Sequence, residues 1–271
     1  VATASLLPRT ATALAGAGFR RYASYRQATV AGAVTNTVFG VIKVSVLLAV
    51  ARAAGGSVVG YDAAALSTYT WVGQGLIAAV WLFGWTTVAE RVRTGDIAID
   101  LARPAHPIAV WLAEDLGRAG QACLVRFVVP MVVGGLIFGL RAPTRVETVP
   151  LFLVSAAIAV LVSFGCRVTL NLAAFWLLDV RGLVTMYMAA SNVLSGMLVP
   201  VAFFPGWLHT LAYATPFPSL LQVPVDVAVE RVTGAAALGE LAMQAGWAAA
   251  ALAAASWVLH RGTRRLVVQG G

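Results

Sequence analysis

VPLFLVSAAIAVLVSFGCRVTLNLAAFW, residues 149–176, is an unbroken apolar stretch carrying a single charge, Arg167. The hydrocarbon core of a bilayer is about 30 Å thick and takes roughly 20 apolar residues per helical crossing, so this stretch is long enough to span one. Polar and apolar residues do not alternate in it with period two, which argues against a strand of a closed barrel. Five other stretches read the same way: 28–51, 65–88, 119–140, 182–203 and 236–259. The whole chain agrees with them. Of its 271 residues 60% are hydrophobic and 11% charged, and mean hydropathy is +0.84. Soluble domains carry about a quarter charged residues, so the sequence predicts an all-α membrane protein with six transmembrane helices.

The arginines set the expected orientation, because short basic loops stay in the cytoplasm. Arg9, Arg20, Arg21 and Arg26 precede the first stretch. Arg91, Arg93, Arg103 and Arg118 lie between the second and third, Arg181 between the fourth and fifth, and Arg261, Arg264 and Arg265 after the sixth. The opposite side receives Arg52, Arg141, Arg145 and Arg231. Both termini are therefore expected in the cytoplasm. The net charge of +8 is what this topology requires, and its clustering at helix ends makes a nucleic-acid partner unneeded. Residues 1–27 show no compact apolar core followed by a cleavage site, so no secretory leader is expected there. That segment instead reads as an amphipathic helix on the inner membrane surface, with Arg20, Arg21, Tyr22, Tyr25 and Arg26 at the headgroup layer.

The first stretch carries Gly32, Asn36, Gly40 and Lys43 on one helical face, and small and polar groups on one face are expected to meet protein instead of lipid. Lys43, toward the outer end, either snorkels to the interface or lines a cavity. Arg126 and Arg167 are close enough to inner helix ends to reach the interface, and Asn171 and Asp179 are candidate partners for them. Between the last two stretches, residues 199–234 hold Pro200, Pro205, Pro216, Pro218 and Pro224, too many for one helix. The segment is also too apolar for a loop, with Phe203, Phe204, Trp207 and Phe217. Short helices dipping back into the outer leaflet satisfy both facts, with a hairpin lying flat on the surface as the alternative. The alanine-rich sixth stretch is expected to pack tightly against neighbours.

Several chemistries are missing. The only lysine is Lys43, inside a crossing, so there is no Walker-type phosphate loop, and no nucleophile elbow or zinc-helix motif is present. Cys123 and Cys166 read as small buried apolar residues, and His106, His209 and His260 are too dispersed for a metal centre. Asp96 and Asp100, four apart, have no pocket-forming domain around them to make an acid–base pair. The stretch RTGDIAIDLARPAHP, 93–107, is by contrast dense in charge, Gly and Pro. Gly95 and Pro104 give it ends for one short helix, and Ile97, Ile99 and Leu101 are too apolar for a solvated loop.

The order of these pieces resembles the membrane subunits of ABC-2 type transporters, the exporter permeases related to those for daunorubicin and viologens. The residues that carry the resemblance are Tyr25–Arg26, GDIAIDLARPAHP after the second stretch, Phe175–Trp176, and SGMLVPVAFFPGWL followed by TPFPSLLQVP. It implies one transmembrane domain over 1–271, comprising an amphipathic connecting helix at 1–27, a cytoplasmic coupling loop at 89–118 and an outer re-entrant segment at 199–234. It also implies a multi-pass protein of the bacterial plasma membrane, without its own ATPase site. The implied partners are a cytosolic ABC ATPase dimer, which holds the ATP and Mg, and a second permease, the same chain or a paralogue. The implied ATPase-coupling residues are Arg20, Arg21, Tyr25, Arg26, Glu90, Arg91, Arg93, Gly95, Asp96, Asp100, Leu101, Arg103 and Pro104. Pro200, Phe203, Phe204, Pro205 and Trp207 fall at the implied outer gate. Asn36, Lys43, Gln74 and Asn171 are the candidate polar points of a substrate path for an exported amphiphile, a drug, antibiotic or similar metabolite. An ion-coupled secondary transporter or channel subunit is the competing expectation, since it too would use buried charges.

Overall fold

The computed structural model describes residues 7–82, 85–177 and 179–265, which are mostly helical. The helices are α1 (Pro8–Ala23), α2 (Arg26–Ala53), α3 (Ala63–Val80), α4 (Thr87–Thr94), α5 (Ile97–Ala102), α6 (Pro107–Ala122), α7 (Val128–Phe138), α8 (Thr148–Leu172), α9 (Arg181–Leu194), α10 (Gly206–Tyr213), α11 (Gln222–Ala228) and α12 (Gly234–Thr263). A π-helical segment, Cys123–Phe127, joins α6 to α7 in one rod. Between α2 and α3 a two-stranded antiparallel hairpin, β1 (Ser57–Val58) and β2 (Tyr61–Asp62), turns through Val59 and Gly60, both at positive φ. Sequence periodicity had given no hint of strands so short.

Among the described residues, four helices are long and apolar enough to cross a membrane: Arg26–Ala53, Pro107–Phe138, Thr148–Phe175 and Gly234–Thr263. They answer to the first, third, fourth and sixth expected stretches. The second, expected over 65–88, ends as a helix at Val80, where Trp81 enters the left-handed region at φ 48. A helix that ends there leaves its last four carbonyls without helical partners, those of Ala78, Ala79 and Val80 among them. Side chains from other helices take these three: Arg118 donates to Ala78 O and Ala79 O at 2.7 Å each, and the Ser163 hydroxyl donates to Val80 O. The third starts at Pro107 instead of near 119, because proline suits a first helical turn and two charges of α6, Asp115 and Arg118, find partners inside the fold. The fifth, expected over 182–203, stops at Leu194, and Gly196 at φ 83 then turns the chain. At 14 residues α9 is about 21 Å long, shorter than a hydrocarbon core.

Glycines set how closely the helices approach. A Cβ on Gly165 of α8 would lie 2.7 Å from the Ala251 methyl of α12, so these two long helices meet nearly backbone to backbone. Gly18 of α1 lies on the Glu114 backbone, and Gly117 of α6 on the Ala15 backbone. Helix α1 thus rests on the first half of the α6–α7 rod. The indole of Trp71, fully buried, is wedged between Gly40 of α2 and Gly134 of α7. Cys123, expected to be buried, is exposed in the π-helical segment.

The two ends of the bundle differ. At the hairpin end, Arg141 pairs with Asp62, and Glu230 accepts bonds from Thr144 N (2.8 Å), Arg145 N (2.9 Å) and the Thr148 hydroxyl (2.7 Å). Hydrogen bonds from the Thr144 hydroxyl, the Thr148 hydroxyl and the two amides hold the Glu230 carboxyl down at about 2, well below its usual range. At the arginine-rich end, Arg181 beside exposed Asp179 holds that carboxyl at about 2 in the turn before α9. Asp179 therefore pairs with its near neighbour and not with Arg126 or Arg167.

Candidate functional site

The polar face of α2 meets protein along its length. Arg126 lies against Gly32 and donates to Ala28 O at 2.9 Å. Asn36 Nδ2 donates to Gln74 O at 3.1 Å, Gly40 receives Trp71, and Lys43 Nζ donates to Met197 O at 2.6 Å. The Lys43 ammonium also lies 5.1 Å from the centre of the Tyr69 ring. Lys43 therefore turns inward, as the cavity alternative required. Beside it runs a groove of about 430 Å³, walled by Phe39, Ile42 and Val46 of α2 and by Leu198 and Val199 of the link after α9.

The Met197 carbonyl is held in place by its surroundings. Tyr69 OH lies 2.8 Å from Gly196 O and 2.7 Å from Gln222 Oε1. Val201 N donates to the same Oε1 at 2.8 Å, and Gln222 N donates to Ser195 O at 3.0 Å. Gln222 Nε2 reaches Asp226 Oδ2 at 2.7 Å, and Tyr61 OH donates to Asp226 Oδ1. Only glycine fits at position 196, since a Cβ there would lie 2.5 Å from both Tyr69 OH and Gln222 Oε1. The residues expected at an outer gate follow directly. Pro200 is buried, Phe203 meets Tyr61 edge-on with centroids 5.9 Å apart, Phe204 is half-buried, Pro205 is exposed and Trp207 is 70% exposed.

Of the four expected path residues, Asn36, Lys43 and Gln74 come together at the groove. Asn171 does not. It is 1% exposed at the arginine-rich end, where it accepts from Ala89 N (3.1 Å) and donates to Trp85 O (2.6 Å). Its amide ties α8 to the first turn of α4.

Among the expected coupling residues, Arg20, Arg21, Tyr25 and Arg26 are exposed around the α1–α2 junction, as are Glu90, Arg93, Gly95, Asp96, Arg103 and Pro104 on α4, α5 and their ends. Gly95, at φ 85, caps α4 and lets α5 fold back on it. Asp100 differs from the polar face expected for it. It is 4% exposed and takes a bidentate bond from Arg91, at 2.6 and 2.8 Å. Ile97 is buried in the chain's own core, Leu101 is half-buried, and Ile99 is left 57% exposed.

One constellation escaped the sequence. Asp115 of α6 accepts from Arg118, one turn on, at 2.7 Å and from Arg167 of α8 at 2.7 Å, all three being buried. Arg118 lies 4.5 Å over the Trp81 ring, and Arg167 lies 5.4 Å from that of Trp85. Arg167 thus does not reach for an interface. The available signal was a charge inside an apolar stretch, which needs a partner, together with an Asp and an Arg three residues apart on a helix.

Bundle, groove and junction lie largely within one stretch of matched sequence. The family described as ABC-2 family transporter protein matches residues 39–270, most of the chain. No curated protein and no solved structure matches it. With several apolar helices of crossing length and a family match of that extent, this multi-pass membrane chain belongs to the ABC-2 transporter family.

Proposed function

We propose that the chain is the permease of an ATP-driven exporter that moves an amphiphilic small molecule out across a bacterial plasma membrane. ATP and Mg are held by a separate cytosolic ATPase dimer, and a second permease, identical or paralogous, completes the path. In this reading α2, α3, the α6–α7 rod, α8, α9 with its link, and α12 make six crossings, with both termini in the cytoplasm. Residues 199–234 are then an outer re-entrant segment. Tyr69 supports that placement: it lies about 10 Å along α3 from the hairpin end, yet bonds the link at Gly196.

The observation that carries the reading is the exposed Ile99 on a short, pinned helix. Helix α5 is fixed to α4 by Arg91 and Asp100, and α4 to α8 by Asn171. A push on Ile99 is therefore passed to long helices instead of being absorbed by a loose loop. Ile99→Asp is expected to leave the fold intact, because the side chain touches solvent, and to weaken capture of the ATPase about tenfold, the effect of ~1.4 kcal/mol. Co-purification from the host under mild detergent measures this, and unchanged capture would sink the assignment. An ion-coupled transporter is the second reading, favoured by the buried Asp115. Transport that survives ATP depletion and stops with the ion gradient would select it.

A further inference from the structure

We propose that the groove beside α2 takes an anionic amphiphile, an apolar chain ending in a carboxylate, sulfate or phosphate, and that Lys43 selects for that charge. The proposal rests on the transport reading of the groove. Its walls are apolar and open: Phe39, Ile42, Val46 and Leu198 are all exposed side chains. Its volume, about 430 Å³, falls in the range of about 300–1,000 Å³ usual for ligand pockets. At its edge lies one amine, that of Lys43. The partners of Lys43 are a carbonyl oxygen and the face of a ring. Both are neutral, so they orient the ammonium without cancelling its charge. No described carboxylate lies within ion-pair distance of it. The ammonium has three protons to donate, and Met197 O takes one.

An ammonium at Lys43 beside an apolar trough favours a ligand whose apolar part fills the trough and whose negative end meets the amine, because an opposite charge that close holds the amine protonated. It opposes a cationic amphiphile of the same shape. Depth separates a cargo from a resident lipid. Lys43 stands ten residues before the end of α2 at Ala53, about 15 Å along the helix. A bilayer lipid keeps its headgroup at the interface, whereas a ligand paired with Lys43 has its charge drawn in between α2 and the link after α9. The link is rigid where Lys43 touches it, because Tyr69 and Gln222 hold it, so the ammonium is presented and not free to swing away.

The test uses the full chain in nanodiscs of zwitterionic lipid and two fluorescent probes of one chain length. One is 11-(dansylamino)undecanoate, and the other is its analogue ending in trimethylammonium. The wild type is expected to bind the carboxylate probe at least about tenfold tighter than the cation. Lys43→Met should weaken the carboxylate probe about tenfold and abolish the preference, and Lys43→Arg should keep it. Leu198→Arg leaves every bond of Lys43 in place and should strengthen carboxylate binding, so the idea stays open to refutation even if Lys43→Met fails to fold. Equal affinity for both probes in the wild type, or an unchanged preference in folded Lys43→Met, would overturn it. So would absence of saturable binding with Phe39→Cys cross-linking two copies, which would make the groove a subunit contact. None of these titrations needs an ATPase, so a failed charge preference is separable from a failed ATPase capture.

Discussion

Asp115 is the residue on which the arginine-rich end depends. It accepts from two buried arginines, so the cluster holds one more positive than negative charge. Removing one side of a buried pair leaves an unsatisfied charge and costs about 3–5 kcal/mol. Asp115→Asn strands two guanidiniums and is expected to cost that much. Arg167→Met leaves the pair of Asp115 with Arg118 whole and is expected to cost less than half of it. Thermal unfolding of the full chain in one detergent ranks the two variants, and the reverse order would mean that packing of the long side chains, not charge balance, governs the site. Arg118 carries a further duty, since it closes two of the carbonyls exposed where α3 ends.

At the scale of the element, the β1–β2 hairpin is the clearest local conflict. A two-residue turn with both central residues at positive φ prefers Asn-Gly, and here the first position is Val59, at φ 47. A β-branched residue in the left-handed region carries a cost of roughly 1–2 kcal/mol. Val59→Asn is expected to raise stability by about 1 kcal/mol, a rise in Tm of about 2–4 °C for a chain near this size. No rise in a thermal scan would show that the exposed valine is held by contacts of its own. The long apolar helices were legible because length and composition decide them, as in 149–176. The end of α3 at Val80 and the end of α9 at Leu194 were not, because each depends on groups far away in sequence. Arg118 and Ser163 make the first break tolerable, and Tyr69 with Gln222 secures the turn after the second. The same rule divides the site. Asn36 and Lys43 could be read from helical spacing on α2, whereas Asn171 was misplaced because its partners, Ala89 and Trp85, belong to a different part of the chain.

Across the whole molecule, the two ends are held by different chemistry. The arginine-rich end is tied by buried charge, while the hairpin end is tied by carboxylates at the surface. Glu230 links the turn before α8 to the end of α11, and its carboxyl is held at about 2 against an ordinary value of 4.5. A depressed value means that the stabilisation is present above about pH 4.5 and is lost as pH falls from there toward about 2. Thermal midpoints of wild type and Glu230→Gln should therefore differ at pH 7 and converge through that window; a constant gap would show that the carboxylate is not the cause. Arg141 with Asp62 adds a second surface tie at the same end.

The α6–α7 rod connects these two ends, and its π-helical turn has a consequence for angular phase. An α-helix advances about 100° per residue, and a π turn accommodates one residue more than an α turn. Residues 123–127 therefore offset the bearing of α7 from the one α6 would have dictated. That offset is what allows one continuous rod to show Gly117 to α1 and Gly134 to Trp71. Deleting a single residue there would leave hydropathy and length almost untouched, yet would swing one half by about 100° against the other. Either the seat of α1 or the slot for the indole would then face away from its occupant.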